Sequence, residues 1–142
     1  MSNDVDNEIY ADEMADAILA LDDIPRSIVK VTDWKRNVLV RGGDAEERYR
    51  LEQLLAKKSK DKPGMKTLYA DLTILAARDP KTGNKIFKPS RRDALMAKSG
   101  RACSQIAKEY LTLTGILEED IAKAKKNSEA ADDLFGFGSP TN

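Results

Sequence analysis

The chain has no histidine and only one cysteine, Cys103, in 142 residues. Without an imidazole there is no Ser-His-Asp or Cys-His nucleophile, no histidine general base and no histidine-ligated zinc. A single thiol excludes an internal disulfide and any multi-cysteine metal site. No apolar run approaches the roughly 20 residues of a membrane span. The opening stretch, MSNDVDNEIY, is acidic and has neither the basic nor the apolar region of a secretory signal. These absences lead us to expect a soluble protein of a reducing cytoplasm.

Other chemistry is missing too. Gly42-Gly43 lacks the spacing of a phosphate loop and the Lys-Ser/Thr that follows one. The stretch from Asp79 to Ser90 has Asp, Thr, Gly and Asn, but no Asp-x-Asp-x-Asp-Gly pattern, and Ser90 stands where a calcium loop needs Glu. It reads as a turn. Glu118, Glu119 and Asp120 read as a helix start rather than an acid/base pair. Cys103 falls beside the Ala102/Ile106 stripe of a predicted helix and has no base to activate it, so it is expected in the core. No catalytic residue, cofactor or metal is expected; a binding or assembly protein is the better class.

What is present is charge, strongly segregated. Lys+Arg and Asp+Glu are 24 each, so the formal net charge is zero. Yet residues 1–24 hold eight acids and no base, while residues 25–110 hold 21 bases and ten acids. That describes an acidic arm and a basic body, with the arm able to neutralise the body's field. The basic part reads either as a solvated lysine-rich surface or as a nucleic-acid-binding face, with Lys57, Lys58, Lys60, Lys62, Arg91 and Arg92 its strongest members.

Periodicity divides the chain further. In the arm, Met14, Ala17, Ile18 and Leu21 fall at i, i+3, i+4 and i+7, one face of an acidic amphipathic helix that Pro25 terminates. Ile28–Val31 and Val38–Val40 are β-branched-rich runs around a polar loop, Thr32 to Asn37, and predict a β-hairpin. Asp44 with Glu47 forms a capping box opening a helix to about Lys57. Residues 65–78 predict a helix with Leu68, Leu72, Leu75 and Ala76 on one side. Ser90 with Asp93 predicts a second capping box and a short helix to about Lys98. Ser99-Gly100 breaks it, and Ala102, Ile106, Tyr110 and Leu113 mark the next helix, with Gly115 past its end. A last helix is expected over Leu117–Lys126. Residues 128–142 predict a disordered tail, in which Leu134, Phe135 and Phe137 belong either to a plain unstructured end or to a short docking motif.

The expected architecture is therefore mainly α (α+β): an acidic arm over 1–25, one domain over 26–127 with an N-terminal β-hairpin and about four to five helices, and a tail over 128–142. Trp34, in the hairpin loop, is either a partner anchor or a core plug. Tyr49, Leu54 and Leu55, on the helix after the hairpin, are candidates for a partner or self-association surface, with plain core the rival reading.

The order of several segments is similar to that of phage tail assembly chaperones. Val29-Lys30-Val31-Thr32-Asp33-Trp34, Val38-Leu39-Val40-Arg41-Gly42 and Asp44-Ala45-Glu46-Glu47-Arg48 resemble that family's N-terminal layout. Leu75-Ala76-Ala77-Arg78-Asp79 followed by Gly83-Asn84-Lys85-Ile86-Phe87 resembles its central turn. Ala94 to Ser99, Ile106, Leu113-Thr114-Gly115 and Glu118 to Asn127 complete a likeness over about residues 29–128. Thr32 replaces a frequent proline, Gly43 a leucine, and Leu117 the usual Ser or Thr helix cap. The resemblance implies a non-enzymatic chaperone in the host cytoplasm, absent from the mature virion. Its client would be the tape measure protein, kept soluble until tail-tube subunits polymerise around it. It also implies self-association, and recruitment of the tail tube protein through a longer, frameshifted form.

Overall fold

A computed structural model describes residues 8–60 and 65–116. The helix expected over Leu117–Lys126 and the tail with Leu134, Phe135 and Phe137 lie outside the described residues, as do residues 1–7 of the arm and 61–64 of the basic loop. Within them the fold is mainly α (α+β), a small N-terminal sheet followed by helices.

Helix α1, Asp12–Leu19, is the arm. Strands β1, Arg26–Val31, and β2, Arg36–Arg41, form the antiparallel hairpin, with Val29 opposite Val38 and Arg26 opposite Arg41. The loop between them is tighter than the sequence suggested. Thr32–Trp34 is a 3-10 turn closed by Lys35, which sits in the left-handed region at φ +54°. Successive strand residues point to opposite faces, so Val29, Val31, Val38 and Val40 are buried together while Ile28 and Lys30 face outward.

Helix α2, Ala45–Ser59, opens on the predicted capping box. The Glu47 N–H donates to Asp44 Oδ1 at 2.8 Å and the Asp44 N–H to Glu47 Oε1 at 3.3 Å. Helix α3, Leu68–Ala76, stops short of the expected end, because Ala77–Arg78 turns into a short strand, β3, paired with β2. That pairing occupies the second edge of β2, whose backbone groups would otherwise go unpaired. Helix α3 is also more buried than an amphipathic stripe: Ala70, Thr73 and Ile74 are inside with Leu68, Leu72 and Ala76. Leu75, placed inward from the sequence, faces out instead, 38% exposed.

Ser90 does not cap the next helix. Pro89–Arg91 forms a 3-10 turn, and helix α4, Arg92–Met96, follows without a side-chain cap; the proline's fixed φ suits the start of such a turn. Helix α5, Gly100–Thr114, is capped by Ser99, whose Oγ accepts from the Ala102 N–H at 3.1 Å, and ends at Gly115 in the left-handed region at φ +87°. Its buried side carries Ala102, Cys103, Ile106, Tyr110 and Leu111. These join the four strand valines, Leu51, Leu68 and Leu72 in one core between sheet and helices. Gly42 lets the chain leave β2 against the end of α5: a Cβ there would lie 2.7 Å from the Leu113 carbonyl oxygen.

Candidate partner-binding surface

The hairpin tip is fixed from outside the hairpin. The Arg101 guanidinium donates from Nη2 to Asp33 Oδ1 at 2.7 Å and from Nε to Oδ2 at 3.1 Å, and Ser99 Oγ donates to Oδ2 at 2.6 Å. The arginine and the serine hold the Asp33 carboxyl below the ordinary carboxylate range, and the same pairing raises the arginine. Ser99 thus caps α5 and ties it to the tip. Along the same helix, Gln105 Nε2 donates to the Lys30 carbonyl at 3.2 Å.

Trp34 follows Asp33 directly, so this clamp also sets the indole. The ring is half-buried against the core and meets Phe87 edge-on, with centroids 5.8 Å apart at 66°. Of the two readings the sequence left open, the structure places Trp34 at their junction: one side packs on the core and the other lines a cleft of about 660 Å³. Trp34, Val38, Pro80, Ile86 and Phe87 supply its apolar lining, Lys35, Arg36 and Lys81 its basic groups, and Asp79 an acid.

The far wall comes from the turn after β3. Asp79 accepts at Oδ1 from the Lys81 N–H at 2.8 Å, and Gly83, at φ +76°, donates to the Asp79 carbonyl at 2.7 Å. The Ile86 N–H donates to the Ala77 carbonyl at 3.0 Å, returning the chain to the sheet. Ile86 and Phe87 were not among the residues singled out from the sequence. The available signal was an apolar pair just after a Pro/Gly turn; its meeting with Trp34 required the tertiary fold.

The other candidates separate. Tyr49 is 63% exposed on α2. Leu54 is half-buried and lines a second cleft of about 490 Å³ with Ile74, Leu75 and Pro89, flanked by Asp71, Arg92 and Asp93. Leu55 is a correction: it is buried in the core cluster, because it continues the inward face that begins with Leu51 one turn earlier.

Six arginines and one lysine of the basic body are paired locally. Arg26 pairs with Asp22, Arg41 with Glu47, Arg48 with Glu52, Arg50 with Glu46, Arg92 with Asp71 and Arg101 with Asp33. Lys58 is nearly buried, 2.8 Å from Asp71. Arginines holding carboxylates are less available to phosphates. Cys103 is buried, and burial pushes its thiol up. Among the described residues no group of three or more Cys, Asp or Glu is arranged to hold a metal ion, and no helix is long and apolar enough to cross a membrane. No family model, curated protein or solved structure matches the chain.

Proposed function

We propose that this protein is a phage tail assembly chaperone that binds the tape measure protein and keeps it soluble until tail-tube subunits assemble around it. The observation that carries the reading is the Trp34–Ile86–Phe87 cleft: an apolar floor beside three cations and one carboxylate, Asp79, on a frame pinned by Asp33 and Arg101. A long helical client with apolar stripes flanked by acids fits a recess of that kind, apolar anchors entering and carboxylates meeting the lysines. Many copies along one client would act by avidity, so each cleft needs only modest affinity. The segment order that resembles the family also has a structural rationale here. Arg41-Gly42 is where only a glycine lets the strand pass the end of α5, and the Gly83–Phe87 turn builds the cleft wall. A nucleic-acid-binding role is the alternative, weakened by the zero net charge of the chain.

The test is co-expression with a tape measure protein. The wild-type chain is expected to hold the client in the soluble fraction and to co-purify with it. Ile86→Asp, on the exposed wall, is expected to lose both while remaining folded. Equal rescue by wild type and Ile86→Asp would remove the cleft from the mechanism, and no rescue by either would end the chaperone reading. A gel shift with DNA that collapses between low and physiological salt would then favour the alternative.

A further inference from the structure

The sheet gives one face to the core and turns the other to solvent. Directly opposed residues of an antiparallel pair point to the same side. Arg26 opposes Arg41, Ile28 opposes Leu39, and Leu39 in turn opposes Arg78, which bridges to Lys85. Lys30, two positions beyond Ile28, shares that side. The outer face is therefore Ile28 and Leu39 ringed by Arg26, Lys30, Arg41, Arg78 and Lys85, and no strand residue on it is acidic. Ile28 is 55% exposed there. Lys30 and Lys85 are exposed and hold no carboxylate among the described residues. Arg41 holds Glu47, Arg78 donates to the Gly83 carbonyl, and Asp79, the residue after Arg78, lines the Trp34 cleft.

The acidic arm is rooted at this face. The Gly42 N–H donates to the Pro25 carbonyl at 2.9 Å, which fixes the start of β1, and Asp22 reaches Arg26 at 3.0 Å. Beyond that pair α1 buries none of its residues. At 3.6 residues per turn Asp12, Glu13 and Asp16 share an arc of about 100° with Leu19 at its border, and Met14 and Ile18 lie opposite. We propose that the arm is a strap that closes over its own sheet, the Asp12–Glu13–Asp16 side of α1 settling on Lys30, Lys85 and the arginines around Ile28 and Leu39. Lengths agree. The face runs about 13 Å along β1 from Arg26 to Lys30 and about 10 Å across its strands. Helix α1 is about 12 Å long, and Ala20 to Pro25 reaches at most about 20 Å. The occupant is the chain's own arm because the arm is continuous with β1 and its Asp22 already sits on Arg26. A second copy would have to compete with a tethered segment at a local concentration on the order of mM. Exposed ion pairs are individually weak and screened by salt, so the strap opens as ionic strength rises. This inference concerns the chain alone and stands or falls without the client.

The test is amide chemical shifts of the full-length protein, taken from low salt to about 1 M and at two protein concentrations. Closure is expected to give salt-dependent shifts at Ile28, Lys30, Leu39 and Lys85 that do not change with protein concentration. Asp12→Asn/Glu13→Gln/Asp16→Asn is expected to show at low salt the face shifts that wild type shows at high salt. Asp12→Lys/Asp16→Lys should likewise be open, and adding Lys30→Glu/Lys85→Glu to it should restore the salt-dependent shifts with the charges exchanged. All of these substitutions are at exposed positions, so folding is kept. Three outcomes overturn the proposal. The first is a face whose shifts the arm substitutions leave unchanged at every salt concentration. The second is a response confined to Lys35, Lys81 and Ile86, which assigns the arm to the Trp34 cleft. The third is a response that grows with protein concentration, which assigns the face to a second copy.

Discussion

Arg101 holds both carboxylate oxygens of Asp33 across 68 positions of sequence, and Ser99, the cap of the same helix, holds one of them as well. The carboxylate joins the hairpin tip to the start of α5 and thereby orients the neighbouring Trp34. Because Asp33 is held below its ordinary value in the folded protein, its contribution to stability is present above the unfolded-state value, near 3.9 for an aspartate. That contribution is lost as pH falls through the lower, folded-state value. Urea midpoints measured from pH 6 to pH 2 should drop less steeply for Asp33→Asn than for wild type. Parallel curves would mean that the clamp does not persist in solution.

Gly42 gives a prediction without any charge. A methyl group 2.7 Å from the Leu113 carbonyl oxygen meets backbone, which cannot turn aside like a side chain. Gly42→Ala should therefore cost about 1–3 kcal/mol, the usual range for overpacking. Gly43→Ala, whose nearest neighbour is the Glu47 Cβ at 3.1 Å, should cost less. Denaturant unfolding of the two variants side by side checks the order.

Lys58 and Asp71 form a nearly buried ion pair at 2.8 Å, with Thr67 bonded to both. Removing one member leaves the other partly desolvated, so Asp71→Ala should cost about 2–4 kcal/mol, whereas Lys58→Met/Asp71→Leu should recover most of that loss. Thermal melts of the single and double variants decide the matter. Additive losses would show that the pair is not coupled.

Tyr49, Leu54 and Leu55 looked alike as surface candidates, and the structure predicts that they will behave differently. Leu55→Ala should lose about 2–4 kcal/mol through the cavity it leaves, while Tyr49→Ala should stay within about 0.5 kcal/mol of wild type. Chemical denaturation of both separates a core role from an exposed one, and only the Tyr49 variant is then suited to client-solubility assays.

Burial raises the Cys103 thiol and covers it. The native protein at pH 8 should react with a disulfide reagent only as fast as it opens, and immediately once unfolded in urea. Prompt native labelling would place Cys103 at the surface.

The elements most legible in the sequence are those with a local cause. The strand valines alternate with outward residues, so β1 and β2 were visible from the β-branched runs alone. Asp44 and Glu47 satisfy each other within one turn, and Gly115 takes a left-handed angle that favours glycine. Helix α3 was visible as a helix but not in its limits: whether Ala77 continues a helix or joins a strand depends on the vacant edge of β2, far away in sequence. Ser90 had the right spacing for a cap, yet Pro89 begins a 3-10 turn there. Of the candidate surface, Trp34 was legible as an exception among polar neighbours. Ile86 and Phe87 were not, because nothing in the local pattern says which apolar residues of a turn meet an indole more than 50 positions away.

By itself, then, the sequence determined the acidic arm, the hairpin, the helix starts and the lack of imidazole or multi-thiol chemistry, because each follows from residue type or from contacts within a few positions. The tertiary structure alone decided three things. It put Leu55 in the core and left Leu54 on a cleft, since a helix offers several faces and only its packed neighbours select one. It joined Asp33 to Arg101, since an ion pair so distant in sequence exists only once the sheet and α5 have packed. And it brought Ile86 and Phe87 to Trp34, so that a turn and a hairpin tip far apart in sequence line one cleft.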